Sequence, residues 1–327
     1  MKRFFFGVFL VLLLSSHDMY LKLDQYQHKP WVETVIQLFN GTFDRSDNVI
    51  TRDRMLDVSL VGNGHRIAVD TTDWYEKDST TYLRIITGAP GTWVAGVSTR
   101  ARSFAQSAED FNDYLKHDGV LDMLESRTRQ GTLQDSAVER YAKHVKTIFQ
   151  VGGRLTDDYK TELGYPIEFV LLENPYGLHP GHDLPVKLLF EQKPLANQLV
   201  YVGHQAASHE HTHDGHTHSH DHEADHHHDE MLQLRTDERG MVQVPISEAG
   251  VWYLRTIHLV EVAEEGLTHE SNWATVTFAI GDGHSHDHTH DHGDDSHHHE
   301  EGFPGYVYWL LSLLVIAGLF IWFNRKK

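Results

Sequence analysis

Across residues 165–280 the chain carries seven short runs, "YPIEFVLLE", "DLPVKLLFEQ", "QLVYVG", "MLQLRTD", "MVQVPIS", "VWYLRTIHLVEV" and "NWATVTFAI". Each is strand-length and rich in β-branched, leucine or aromatic residues, which suit a pleated, half-buried surface. "DERG" at Asp237 and "EAG" at Glu248 punctuate them, each ending on a glycine where a positive φ is expected. Seven strands in so short a segment predict a β-sandwich of immunoglobulin or prealbumin type.

Residues 17–164 read as a second sandwich with a helical addition. "WVETVIQLF" and "RMLDVSLVG" alternate, and "TYLRIITG" and "GTWVAGVSTRA" follow across glycine-bearing turns. The period then changes. Ser107 caps "SAEDFNDYLKHDG", with Phe111, Tyr114 and Leu115 on one face. Ser136 precedes "AVERYAKHVKTIF", where Val138, Tyr141, Ala142, Val145, Ile148 and Phe149 recur at helical spacing and Glu139 stands four residues before Lys143. A helical hairpin is expected, its second helix beginning at Ala137. The expected fold class is mainly β: two immunoglobulin- or prealbumin-like sandwich domains, the first with the helical hairpin, and one C-terminal transmembrane helix.

The chain ends place this body. Lys2 and Arg3, the apolar run at residues 4–14, and Ser15 and Ser16 form a secretory signal over residues 1–16, whose removal leaves His17 as the new N-terminus. Residues 305–323 form a second, longer apolar stretch, of which residues 306–323 span roughly 27 Å as a helix, close to a bilayer core. Tyr306, Tyr308 and Trp309 mark one interface, Trp322 and Phe323 the other. Arg325, Lys326 and Lys327 keep the tail, residues 324–327, in the cytoplasm. The expected location is the cell envelope, with a periplasmic ectodomain anchored in the cytoplasmic membrane. There are no cysteines, which excludes disulfides and thiolate metal sites, and the formal net charge of −19 argues against nucleic acid as a partner.

Two low-complexity tracts stand out from this frame. The first falls between "QLVYVG" and "MLQLRTD", a hairpin loop swollen to residues 204–230; the second, residues 281–301, links the last strand to the membrane. Together they hold His204, His209, His211, His213, His216, His218, His220, His222, His226, His227 and His228, then His284, His286, His288, His290, His292, His297, His298 and His299. Neutral imidazole binds Ni²⁺, Co²⁺, Zn²⁺ and Cu²⁺, and interleaved Asp adds oxygen ligands and negative potential. The tracts are not preorganised, and each event must order the chain at roughly 1–2 kcal/mol per residue. High capacity, moderate affinity and poor selectivity follow. The competing reading is an acidic solvated linker, which would not need histidine. Two further ligand candidates are His17, whose ring and free amine could chelate one ion, and His258, on the strand face of Trp252 and Leu254. A histidine on an apolar face is also an ordinary hydrogen-bonded core residue. His179 and His182 in "LHPGH" and His269 in "THESN" read as loop residues, the first two as possible ligands; His65, His117 and His144 carry no motif.

"HDMYLKL", "VIQLFNGTFDRSD", "SAEDFNDYLKHDG", "YPIEFVLLENPY", "KPLANQLVYVG", "TDERGMVQVPISEAGVWYLRTIHL" and "HESNWATVTF" together resemble a bacterial family of secreted proteins labelled as a domain of unknown function, or as a periplasmic component of nickel/cobalt uptake. The tract and anchor resemble those of members from the Bacteroidetes group. The resemblance covers roughly residues 17–280, singles out His17 and His258, and implies no catalytic residue. It favours nickel or cobalt as the metal, zinc remaining possible on the imidazole chemistry, and implies a role beside a metal transporter in the same membrane. The expectation is an envelope metal-binding protein without enzyme activity; neither "GxSxG" nor "HExxH" occurs. Zinc or copper buffering or resistance is the alternative, ahead of a histidine-brace copper enzyme or an adhesion module.

Overall fold

The computed structural model describes residues 18–206 and 231–281. The first half forms β1 (Asp18–Lys22), β2 (Gln27–His28), β3 (Glu33–Gly41), β4 (Met55–Gly62), β5 (His65–Ala68), β6 (Trp74–Lys77), β7 (Thr80–Ile86), β8 (Gly91–Thr99) and β9 (Arg102–Gln106). Two helices follow, α1 (Ala108–His117) and α2 (Leu121–Gln130), then the long strand β10 (Ala137–Val151). The second half adds β11 (Ile167–Leu171), β12 (Asp183–Phe190), β13 (Lys193–Pro194), β14 (Leu199–Ala206), β15 (Leu232–Arg235), β16 (Met241–Pro245), β17 (Gly250–Glu264) and β18 (Leu267–Ile280). The chain is mainly β and sandwich-like. All seven strands expected in the second half are present, as is α1 with its Ser107 cap, whose Oγ accepts from the Asp110 N–H at 3.1 Å.

One large sheet joins the two halves, in the order β15-β14-β17-β18-β10-β8-β4-β5, with β2 and β9 also paired to β10. A small sheet, β1-β3-β7-β6, covers one face, and a second, built from β11, β12, β13 and β16, covers the other. The alternation of side chains along the shared strands shows this directly. Val145, Phe149 and Val151 of β10 pack with Leu21, Ile36 and Leu38 of the first small sheet. Ile148, between them, packs with Phe169, Val186 and Leu188 of the second. The shared sheet is therefore the middle layer of two sandwiches. Pairing between β10 and β18, which is parallel and runs from Glu139↔His269 to Thr147↔Thr277, crosses the boundary expected near residue 164. All described residues fall in one compact unit.

One expectation is corrected. The segment from Ala137 is not a helix but β10, and the helical hairpin is completed instead by α2, which Gly131 ends in a left-handed conformation at φ 72°. Apolar residues three and four apart fit a helix face, but they fit equally a strand buried on both sides, where every position is covered. Thr147, Ile148, Val145 and Val151 are β-branched, and β10 finds partners on both edges, which a helix could not offer β8 and β18. The helices pack Phe111, Leu115 and Met123 against Ile257, Leu259 and Trp273 of β17 and β18. Among the described residues no helix is long and apolar enough to cross a membrane; the expected span at residues 305–323 and signal at residues 1–16 lie outside them.

Candidate functional site

The root of the first tract is the best-defined part of the expected metal machinery. β14 and β15 pair antiparallel from Leu199↔Arg235 to Val202↔Leu232, so the hairpin closes in register on both sides of the tract, at the edge of the shared sheet. His204 stands on β14 opposite Trp252 of β17. Its ring stacks on the indole at 4.8 Å, and its Nε2 lies 2.6 Å from Glu248 Oε1. The Trp252 indole N–H donates to the Glu248 carbonyl at 3.1 Å, which holds the turn that presents the carboxylate. A carboxylate on one ring nitrogen orients an imidazole and leaves the other as the ligand atom.

His258 sits elsewhere on β17. Its Nδ1 is 2.9 Å from Gln198 Oε1 and its ring lies 4.5 Å from that of Phe190, while burial pushes its pKa down. That is the setting of a hydrogen-bonded, half-buried histidine. His17, the tract residues His209, His211, His213, His216, His218, His220, His222, His226, His227 and His228, and His284, His286, His288, His290, His292, His297, His298 and His299 lie outside the described residues. Among the described residues no three His, Asp or Glu side chains converge as a metal cage.

The remaining histidines divide sharply. His179 and His182 are exposed in the loop before β12, with ring centroids 4.0 Å apart. His269 is not a loop residue: it lies in β18, buried against Phe111 at 4.7 Å, with Nδ1 2.7 Å from Thr268 Oγ1 and Nε2 without a partner. His144 is buried on β10 between Ser98 Oγ (2.9 Å) and Asn272 Oδ1 (3.2 Å), and burial holds its pKa down at about 4. The His117 ring lies 2.9 Å from the buried Asp118 carboxylate, a bond that pushes the imidazole pKa up.

A second concentration of chemistry was not legible as a site. Glu139 and Lys143, spaced as if to pair on an exposed helix, point instead from one face of β10 into a cleft of about 430 Å³ that Arg54, Phe104, Tyr141 and Trp273 also line. The Glu139 carboxylate accepts from Ser271 Oγ, from the Tyr114 hydroxyl at 3.3 Å and from Gln106 Nε2 at 3.4 Å. Burial raises its pKa to about 7, and burial lowers that of Lys143 to about 8. Lys143 Nζ donates to Asn40 Oδ1 at 3.2 Å and lies 4.8 Å from the Trp273 ring. The cleft thus holds an acid and a base that both exchange protons near neutral pH. Farther along the sheet, the fully buried Arg255 donates to Asp18 Oδ1 at 3.3 Å and to the Asp118 carbonyl at 3.1 Å, tying β1 to β17 and the end of α1. The only local signal for the cleft was charge inside a run rich in β-branched and aromatic residues.

Comparison with known proteins gives a family and little more. The family model described as "Domain of unknown function (DUF4198)" matches residues 14–260. No curated protein matches the chain. Solved structures that align include Salmonella alpha-2-macroglobulin reacted with methylamine, at 10% identity and TM-score 0.20 over 82% of this chain and 15% of that one. The D0-D1 domain of intimin aligns at 12% identity and TM-score 0.18, over 80% of this chain and 97% of that one. The Yersinia pseudotuberculosis adhesin InvE aligns at 13% identity and TM-score 0.19, over 80% and 58%. Such scores bear on neither the fold nor the function of this chain, which spans only 15% of the macroglobulin. The family model, by contrast, runs from just before β1 into β17 and takes in both small sheets, the helices and the root of the first tract: the chain belongs to the DUF4198 family.

Proposed function

We propose that this protein is a membrane-anchored cell-envelope protein that collects divalent transition metal ions on its histidine tracts. The resemblance favours nickel or cobalt, imidazole chemistry also admits zinc, and the protein acts as an accessory to a metal transporter in the same membrane. One observation carries the reading. The β14–β15 hairpin keeps its register from Leu199↔Arg235 to Val202↔Leu232, so the strands that flank residues 207–230 pair as they would across a short turn. Closing so long a loop costs little beyond a short one, because closure entropy grows only logarithmically. Its composition is therefore free to serve binding, and its composition is imidazole and carboxylate. His204, held by Glu248 and Trp252, gives the tract one ordered imidazole at its root.

The test replaces residues 205–230 with a short Gly/Ser turn and residues 282–301 with a linker free of histidine. The variant should keep the circular dichroism of the parent, while calorimetric stoichiometry for Ni²⁺ falls from several ions to at most one. In the parent, bound metal should be released as pH falls from about 7.5 to about 5.5, since an unperturbed imidazole titrates near 6.5 and the proton competes with the ion. A variant that binds as many ions as the parent, or a parent whose stoichiometry is unchanged at pH 5, overturns the reading.

A further inference from the structure

The loop Leu178-His179-Pro180-Gly181-His182 carries two imidazoles in a fixed backbone frame. Proline limits φ at Pro180, and Gly181 turns the chain at φ 94°, a conformation that other residues rarely take. The turn brings the two rings to 4.0 Å between centroids, inclined at 52°, and leaves both exposed. The frame does not hang free. The Gly181 N–H donates to the Ile246 carbonyl at 2.8 Å, and the Ile246 N–H donates back to the His182 carbonyl at 2.9 Å.

The protonation of one ring follows from its neighbour. His179 Nδ1 lies 3.1 Å from the Pro180 carbonyl oxygen, which only accepts, so Nδ1 carries the hydrogen and the Nε2 lone pair is left for a ligand. Two imidazoles on one tetrahedral or square-planar ion put their nitrogens about 3 Å apart at metal–nitrogen distances near 2.0–2.1 Å. The ring centroids, 4.0 Å apart, are on the same length scale. Little backbone order must be gained on binding. The loop also neighbours the tract's root: Ile246 stands two residues before Glu248, the partner of His204.

We propose that His179 and His182 form a preorganised two-imidazole site for one borderline divalent ion such as Ni²⁺ or Cu²⁺, with water or a small chelator completing the shell. Binding there does not depend on the tracts' role. The experiment titrates Ni²⁺ and Cu²⁺ into the tract-replaced chain described above and into the same chain carrying His179→Asn or His182→Asn. One ion should bind per chain, and either substitution should weaken it at least about tenfold, the loss of roughly one ligand bond. His258→Asn should leave it unchanged. No ion in a tract-replaced chain of unaltered dichroism, or one ion held equally well after either loop substitution, overturns the site. Neither result touches the tract reading, which stands or falls on the ions lost with the tracts. Copper and ascorbate footprinting of the full-length chain gives a second measurement that requires no deletion. Oxidation at His179 and His182 should exceed that at the exposed His65; equal oxidation at all three sinks the proposal.

Discussion

Glu139 and His144 stand five residues apart on β10 and respond to acid in opposite directions. Burial raises the Glu139 pKa to about 7 from an ordinary 4.5, so the folded chain holds a proton that the unfolded chain has released. Stability contributed by this group is therefore lost as pH rises from about 4.5 through about 7. Burial lowers the His144 pKa to about 4 from 6.5, so the unfolded chain takes up the proton first and stability is lost as pH falls from about 6.5 through about 4. Between those limits the two largely offset one another. Glu139→Gln should stabilise the protein at pH 8, by at most about 3 kcal/mol, and the gain should vanish by pH 4.5. Urea denaturation at the two pH values checks this; an equal effect at both would show that Glu139 does not titrate between them. In sequence, Glu139 and Lys143 carry nothing that distinguishes a buried carboxylate from an exposed one.

At the scale of elements, the contact between β10 and the second small sheet rests partly on one ion pair. Lys146 Nζ is 2.8 Å from Glu168 Oε2 of β11, with both side chains almost fully buried. The ammonium also donates to the carbonyls of Phe169 at 2.9 Å and Thr161 at 3.0 Å, and the carboxylate accepts from the N–H groups of Leu163 and Gly164. Such a pair contributes little net stability, yet removing one partner strands the other's charge. Lys146→Met should cost about 3–5 kcal/mol, and adding Glu168→Gln to it should recover part of that. Thermal unfolding of the two variants is the measurement; a double variant less stable than Lys146→Met alone would mean that the loss comes from packing. The pair also shows how β10 carries charge into a buried setting. Its charged residues are accommodated by partners on other elements, so they do not mark a solvent-facing stripe.

Over the whole molecule, the shared sheet makes the two halves interdependent. β18 pairs with β10 along nine register positions, and Thr275 Oγ1 of β18 donates to the Met19 carbonyl of β1 at 2.8 Å. Residues 18–164 expressed alone would leave β10 without β18 and expose the face that the second small sheet covers. Neither that fragment nor residues 165–281 should fold alone, whereas the two together should. Dispersed amide resonances from either fragment alone would contradict the shared-sheet architecture. By itself the sequence determined the mainly β class, the strands of the second half, α1 through its Ser107 cap, and the siting of the first tract inside a hairpin. These rest on signals spanning a few residues: alternation, a capping hydroxyl, a turn glycine, a composition change. Only the tertiary structure decided that β10 is a strand, that His269 is buried, that Glu139 and Lys143 share a cleft, and that His204 meets Glu248. Each depends on a neighbour far along the chain, as when Arg140 of β10 meets Glu270 of β18, 130 residues on. The free energy of strand pairing and of burial lies in such distant contacts, and no window of local sequence contains both partners.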